Sequence, residues 1–403
     1  KRYHLRMKKT EILSLYRKYV APNYGRMPLS VVEGSGVWIK DAGGKKYLDF
    51  VQGIAVNALG HSPKNVARAI SAESAKLIHT SNLFYTVPQA LLARELVKLS
   101  FPSRALFVNS GAEAVESALK LARKYHHDKK TGRFEIIAMD GSFHGRTFGA
   151  LSATGQKKYH AGFGPLLPGF KHVPFANFAK LKKAVNKKTA AVIIEPIQGE
   201  SGVRPAPFSY LRKLRKLCDQ NNILLIFDEV QSGMGRTGKW FGWQHSGVQP
   251  DIMTLAKGLG GGFPIGAMLA RPDVMDSFGP GTHASTFGGG PLACGAALEV
   301  IKTIKGKKLL KNAAATGKNA MRALKILQKD FKFIKEVRGL GLMIGVELDR
   351  PGASIVNECM NRGLIINCVQ NNTLRFLPPL NVTNAQMNRA VKILGKTLCP
   401  PIS

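Results

Sequence analysis

A chain of 403 residues with 44% hydrophobic content can bury a sizeable core and is too long for one ordinary domain. No apolar run approaches the ~18–20 residues that a membrane helix needs. The five cysteines (Cys218, Cys294, Cys359, Cys368, Cys399) are scattered and form no CxxC pair, which argues against a disulfide framework or a metal site and for a reducing, cytoplasmic setting. Lys plus Arg number 59 against 25 Asp plus Glu, a net charge of +34 that favours solubility and attraction to anions. These cations are spread along the chain, as at Lys182-Lys183, Lys187-Lys188, Arg212–Lys216 and Lys305–Lys308. They lack the aromatic interleaving of a nucleic-acid reader, so solvated helix faces are the favoured reading over a specific nucleic-acid site.

In chain order, the stretch Lys1–Thr10 is basic, and no secretory-type apolar core follows it. Residues 31–56 read as hairpin strands around a turn at Asp41–Gly44. From residue 104 to 300, short apolar runs alternate with helical patterns, the signature of α/β architecture with a mainly parallel sheet. The expected buried strands are Ala105–Val108, Ile136–Met139, Ala191–Ile194, Ile223–Phe227 and Ile252–Leu255. Expected helices include Glu113–His126, with Ala114, Val115, Ala118, Leu119 and Ala122 on one face, and Tyr210–Gln220. Beyond residue 300, a helix near Leu309–Lys329 precedes strands near Ile334–Leu348 and Leu364–Phe376. The expected organisation is a large central domain over 61–300, with residues 1–60 and 301–403 building a smaller α+β domain beside it.

Chemistry-bearing residues stand where the expected strands end. Ile223–Phe227 runs into Asp228, Ala191–Ile194 into Glu195, Ile252–Leu255 through Ala256 into Lys257, and Ala105–Val108 into Asn109-Ser110-Gly111. Open parallel sheets bind ligands at the carboxyl ends of their strands. One such charge alone reads as a surface turn; four together point to a site. Ser110-Gly111-Ala112-Glu113 has the spacing of a helix capping box. The same free N–H groups suit a phosphate, and the two readings are compatible. Lys257 opens a glycine run, Gly258-Leu259-Gly260-Gly261-Gly262, that has neither the P-loop pattern nor the following helix of a dinucleotide fingerprint. A lysine packed there could be desolvated and nucleophilic, although a lone lysine is ordinarily a solvated side chain.

Several long motifs carry a resemblance over nearly the whole chain. They are GIAVNALGH (Gly53–His61), NSGAEA (Asn109–Ala114), GSFHGRTFGALSATG (Gly141–Gly155), EPIQGE (Glu195–Glu200), LIFDEVQSGMGRTG (Leu225–Gly238), TLAKGLGGGFPIGA (Thr254–Ala267), STFGG (Ser285–Gly289) and RFLPPL (Arg375–Leu380). With them the chain resembles the class III aminotransferases of fold type I, which depend on pyridoxal phosphate. Within that family it is most similar to members that transfer the δ-amine of N2-acetylornithine to 2-oxoglutarate in arginine biosynthesis. Ornithine, succinylornithine, 4-aminobutyrate and a lysine precursor on an acidic carrier protein are the related donors.

The resemblance implies roles residue by residue. Lys257 would hold the cofactor covalently and, once freed, move a proton at the substrate carbon. Asp228 would pair with the cofactor ring nitrogen, Gln231 would sit near its phenolic oxygen, and Phe143 and Val230 would flank the ring. Ser110, Gly111 and Ala112 would hold the phosphate, joined by Thr286 from a neighbouring subunit, which implies a homodimer. Arg146 and Arg375 would receive substrate carboxylates, with Ser285 nearby and Glu200 pairing with Arg375 for one of the two substrates. Read locally, Arg375 is a strand arginine facing solvent and Glu200 is a loop charge. The alternative from another class is a basic nucleic-acid-binding protein on this fold, against which Lys257 and Asp228 argue.

Overall fold

A computed structural model describes residues 7–399; Lys1–Arg6, the start of the basic N-terminal stretch, lie outside the described residues. The centre is a seven-stranded sheet built from β1 (Arg104–Val108), β2 (Glu135–Met139), β3 (Phe170–Val173), β4 (Thr189–Ile194), β5 (Leu224–Asp228), β6 (Ile252–Leu255) and β7 (Gly266–Ala270), in the spatial order β1-β7-β6-β5-β4-β2-β3. From β6 to β3 every neighbouring pair is parallel. Only β7 runs the other way, antiparallel to both β6 and β1. The sheet is therefore mainly parallel, as the alternating pattern implies.

The central strands are apolar throughout because both of their faces are covered. In β4 and β5 every residue is buried, including Asp228 at the last position of β5. Two apolar clusters lie on opposite faces. Val192, Ile194, Leu225 and Phe227 belong to one, and Ile193, Leu224 and Ile226 to the other, so alternate residues of a strand go to opposite sides. The second face is covered by α1 (Gly111–Asp128), in which Ala114, Val115, Ala118, Leu119 and Ala122 are all buried. The other face takes α2 (Phe208–Asn221), through Leu211, Leu214 and Leu217. β3 was not among the expected strands. Its sequence Phe-Lys-His-Val is too polar to stand out, and it is an edge strand paired only with β2.

The termini build smaller sheets. Val31–Ser35, Trp38–Asp41 and Lys46–Asp49 form an antiparallel meander, and Leu364–Ile365 joins it alongside Lys46–Asp49. The Asp41 carboxylate closes the turn by accepting from the Gly43 and Lys45 N–H groups, both at 2.9 Å. The strands end at Asp49 rather than near residue 56, because Gln52–Ala55 coils into a short helical stretch with Gly53 at φ 63°. A second antiparallel sheet has the order Ile334–Leu340, Met343–Leu348, Thr373–Phe376 and Asn367–Val369. No helix of the described residues is long and apolar enough to cross a membrane.

Ile226 lies fully buried in the middle of β5, between β4 and β6. Ile226→Ala should lower unfolding stability by about 2–5 kcal/mol, measured by urea denaturation; a loss under about 1 kcal/mol would mean that the sheet centre is not close-packed as described.

Candidate active site

The carboxyl ends of the parallel strands and the amino end of antiparallel β7 share one rim, so residues from six chain segments open onto one cavity of about 440 Å³. Asn109, Ser110, Gly111 and Ala112 come from the end of β1 and the start of α1, and Phe143, His144 and Arg146 from the loop after β2. Glu195 and Glu200 follow β4, Asp228 ends β5 with Val230 and Gln231 just after it, Lys257 follows β6, and Pro264 and Ile265 lead into β7.

Asp228 is fixed from three directions. Its Oδ1 accepts from the Val230 N–H at 3.0 Å and the Thr254 hydroxyl at 3.2 Å, and its Oδ2 lies 2.7 Å from His144 Nδ1. Both side chains of that last pair are buried, and His144 Nε2 meets no partner among the described residues. His144 was not singled out from sequence, although it stands between Phe143 and Arg146 in the GSFHGRTF stretch.

Lys257 sits in a single turn, Lys257–Leu259, with its own φ at 38°, a backbone conformation rare for a residue with a side chain. The glycines after it make that turn possible: a Cβ on Gly260 would stand 2.1 Å from the Phe263 carbonyl oxygen. Burial pulls the Lys257 amine below the usual lysine range, opposed by the nearby Glu200, Asp228 and Glu195 carboxylates and reinforced by Arg375.

Arg375 is fully buried. Its Nη1 donates to Glu200 Oε1 at 2.6 Å, the Gly199 carbonyl at 3.1 Å and Gln231 Oε1 at 3.3 Å, while Nε donates to Asn367. Its Nη2 is buried without a partner among the described residues. The solvent-facing position that the local pattern suggested for Arg375 is thus corrected: the loop of Gly199 and Glu200 covers it. Burial would raise the Glu200 carboxyl, but Arg375 and Lys257 outweigh burial and hold it below its usual range. Glu195 differs. Burial, with Asp228 adding to it, pushes its carboxyl up to about 7, although it accepts from the Phe143 N–H at 3.0 Å and the Gly199 N–H at 3.2 Å.

At the start of α1 the Ser110 hydroxyl caps the Glu113 N–H at 3.2 Å. The expected capping box closes by half: the Glu113 carboxylate accepts from the Asn109 N–H, one residue earlier than the box requires. The N–H groups of Gly111 and Ala112 meet no acceptor among the described residues and stand at the cavity. A Cβ at Gly111 would lie 2.8 Å from Val230 Cγ1, so a larger residue there would push Val230 out of its place at the cavity.

Lys257, Asp228, Ser110, Gly111, Ala112, Phe143, Val230, Gln231, Arg146 and Glu200 thus line one cavity, and Arg375 backs it through Glu200 and Gln231. Ser285 and Thr286 do not join them. The Ser285 hydroxyl is engaged by Asn109 Nδ2 at 3.2 Å and the Gly288 N–H at 3.0 Å, and exposed Thr286 lines a separate cleft with Asn82, Phe84 and Phe287. Among the described residues no three His, Cys, Asp or Glu side chains gather as a metal ion would need.

Comparison with known proteins gives the same family from three directions. The family model for aminotransferase class-III matches residues 19–398. Acetylornithine aminotransferases of Caldanaerobacter subterraneus and Methanocaldococcus jannaschii are each 50% identical, over 96% and 95% of this chain and 99% and 97% of their own. Among solved structures, an ornithine aminotransferase from Toxoplasma gondii superposes with a TM-score of 0.94 at 34% identity, covering 97% of this chain and 94% of that one. An acetylornithine aminotransferase from Elizabethkingia anophelis gives 0.87 at 33%, covering 98% and 99%.

Because the folded Glu195 holds its proton up to about pH 7 and an unfolded one only to the usual 4.5, raising the pH between those values favours unfolding. Glu195→Gln removes that titration. From about pH 5 to about pH 8 the wild type should therefore lose up to roughly 3 kcal/mol of stability relative to the variant in urea unfolding. A constant difference across that range would refute the raised carboxyl.

Proposed function

Since the chain belongs to the class-III aminotransferases, which work with pyridoxal phosphate, we propose that it transfers the δ-amine of N2-acetylornithine to 2-oxoglutarate. The products are N-acetylglutamate 5-semialdehyde and glutamate, a step of arginine biosynthesis. The observation that carries this reading is the half-buried Lys257, its amine desolvated in one cavity with Asp228 and Glu200, in a chain half identical to acetylornithine aminotransferases.

The cavity fits the cofactor on three counts. The unused N–H groups of Gly111 and Ala112, at the positive end of an 18-residue helix, suit its phosphate. The Asp228 carboxylate, held on both oxygens, suits a protonated ring nitrogen. The depressed Lys257 amine suits attack on its carbonyl carbon. Ser110 would complete the phosphate cradle, Phe143 and Val230 would flank the ring and keep water from its faces, and Gln231 would lie by its phenolic oxygen.

Bound pyridoxal phosphate supplies an electron sink for the bond broken at the amine-bearing carbon. The chain's own groups do the rest. Asp228 would keep a proton on the ring nitrogen. The Lys257 amine, its basicity lowered by desolvation, would take the proton from the amine-bearing carbon and return it on the far side of the transfer. Arg146 and Arg375 would grip substrate carboxylates, since a guanidinium matches a carboxylate with two parallel bonds. Glu200 would occupy Arg375 while the donor is bound and leave it for the second carboxylate of 2-oxoglutarate, so that one pocket serves two shapes.

We further read the enzyme as a homodimer in a reducing, cytoplasmic setting. Thr286 stands outside its own cavity, in a cleft with exposed Phe84 and Phe287, and exposed Leu83, Tyr85 and Val87 adjoin Phe84 along the chain, which supports a second copy covering that strip and Thr286 reaching the partner's phosphate. The excess cations favour a free donor over a carrier-bound one: exposed Lys182, Lys183, Lys187, Lys188, Lys305, Lys307 and Lys308 lie away from the cavity lining.

Steady-state kinetics with a donor panel test the reading. The expected order is acetylornithine ahead of ornithine and 4-aminobutyrate by at least about tenfold in kcat/KM. Lys257→Ala should lower turnover by at least about 100-fold. Preference for ornithine or 4-aminobutyrate would overturn the substrate, and full activity of Lys257→Ala would overturn the role of the lysine.

A further inference from the structure

Arg146 is the one guanidinium lining the cavity that is exposed, and among the described residues no carboxylate lies within ion-pair distance of it. A long unpaired side chain of this kind ordinarily samples many rotamers, and fixing it on a ligand costs entropy. Here an aromatic ring holds it. The Arg146 Cζ stands 3.9 Å from the centroid of the Tyr159 ring, well inside the range of a cation–π contact, and 5.7 Å from that of Phe143. Tyr159 and Phe143 meet edge to face, with centroids 5.7 Å apart and an interplanar angle of 79°.

Tyr159 is itself anchored. It ends the single turn Lys157–Tyr159, whose preceding residue, Gln156, donates through Nε2 to the carbonyls of Gly141 at 3.1 Å and Ser142 at 3.2 Å. Those carbonyls belong to the loop that carries Phe143 and Arg146. On the other side of Tyr159, His160 Nε2 bonds the Thr154 carbonyl at 2.7 Å. The ring is thus tied to the same loop that presents the arginine. The Tyr159 hydroxyl makes no hydrogen bond among the described residues, so the ring, not the hydroxyl, is what bears on Arg146.

We propose that Tyr159 is a positioning residue whose ring holds the Arg146 guanidinium by its face, leaving the in-plane N–H groups free for a substrate carboxylate. A guanidinium stacked through its flat face keeps its donors pointing outward around the edge, which is where a carboxylate binds. The contact with Phe143 sets that grip relative to the ring that flanks the cofactor. A carboxylate partner could hold Arg146 equally well, but it would compete with the substrate, whereas an aromatic ring does not. The proposal rests on reading Arg146 as a receiver of substrate carboxylate.

The test is the affinity of the cofactor-loaded enzyme for glutarate, a dicarboxylate that cannot react, measured by titration calorimetry, beside the affinity for pyridoxal phosphate itself. Arg146→Ala should weaken glutarate by more than about tenfold. Tyr159→Leu should weaken it by about three- to tenfold, raise KM for the amino donor by a similar factor, and leave kcat and cofactor affinity within about twofold of wild type. Tyr159→Phe, which keeps the ring, should bind glutarate as the wild type does. The double variant Tyr159→Leu/Arg146→Ala should be no weaker than Arg146→Ala alone, because both act through one grip. If Arg146→Ala binds glutarate normally, the role of the arginine falls and the proposal with it. If Arg146→Ala is impaired but Tyr159→Leu is not, or the two losses add in full, or Tyr159→Leu loses cofactor as well, the role of Tyr159 alone is overturned.

Discussion

The half-buried, poorly hydrated setting of Lys257 is the constraint on which the rest of the site depends. An amine taken out of water loses hydration that favours its charged form, and its basicity falls. Desolvation alone would lower its basicity and leave it without partners, whereas carboxylates close by favour its charged, less nucleophilic form. The rim sets a balance: Glu200, Asp228 and Glu195 pull the amine towards protonation while burial and Arg375 push it the other way, and burial leads. That balance requires several charged groups at one rim, which a parallel sheet provides by ending its strands together. The left-handed backbone at Lys257 and the glycines after it are the local cost of turning the chain sharply enough to aim the side chain inward.

The same reasoning separates two glutamates five residues apart. Glu195 is buried and Glu200 half-buried at the same cavity, yet burial drives one up and neighbouring cations hold the other down. Glu200 has Arg375 at 2.6 Å, whereas for Glu195 the His144 ring and two backbone N–H groups do not offset burial and the unfavourable company of Asp228. One chemistry therefore yields a group that can carry a proton near neutrality and a group that stays ionised as a counter-charge. Glu195 joins Phe143 to Gly199 through its two oxygens, so it also braces the ring-flanking residue against the Glu200 loop. Arg375, fully buried with one nitrogen unpartnered, is tolerable in the protein interior because Glu200, Gln231 and Asn367 take its other donors.

Much of this could be read from the sequence where the signal is local. The apolar face of α1 was visible as Ala114, Val115, Ala118, Leu119 and Ala122, because a helix repeats every 3.6 residues and these residues share one side. The rim was visible because Asp228, Glu195 and Lys257 each follow an unmistakable apolar run. What stayed hidden depends on contacts between distant segments. Arg375 alternates with Leu374 and Phe376, so local pattern turns it away from them, and only a loop 175 residues earlier decides that its side of the sheet is buried. β3 carries too little apolar character to declare itself. Tyr159 lies in a single turn with no periodicity at all, and its stacking on Arg146 is a matter of tertiary placement. The capping box at Ser110 was half right because spacing fixes which residues are near each other, while backbone direction decides which N–H the Glu113 carboxylate finds.

The account's central claim is that one half-buried lysine, among the many this basic chain carries, holds the cofactor. Reducing the pyridoxal-phosphate-loaded protein with borohydride fixes the cofactor to whichever amine bears it, and peptide mass mapping then identifies that residue. The predicted result is a single pyridoxyl group on the peptide containing Lys257, absent from Lys257→Ala. A label spread over the exposed lysines, or one undiminished in Lys257→Ala, would contradict the account.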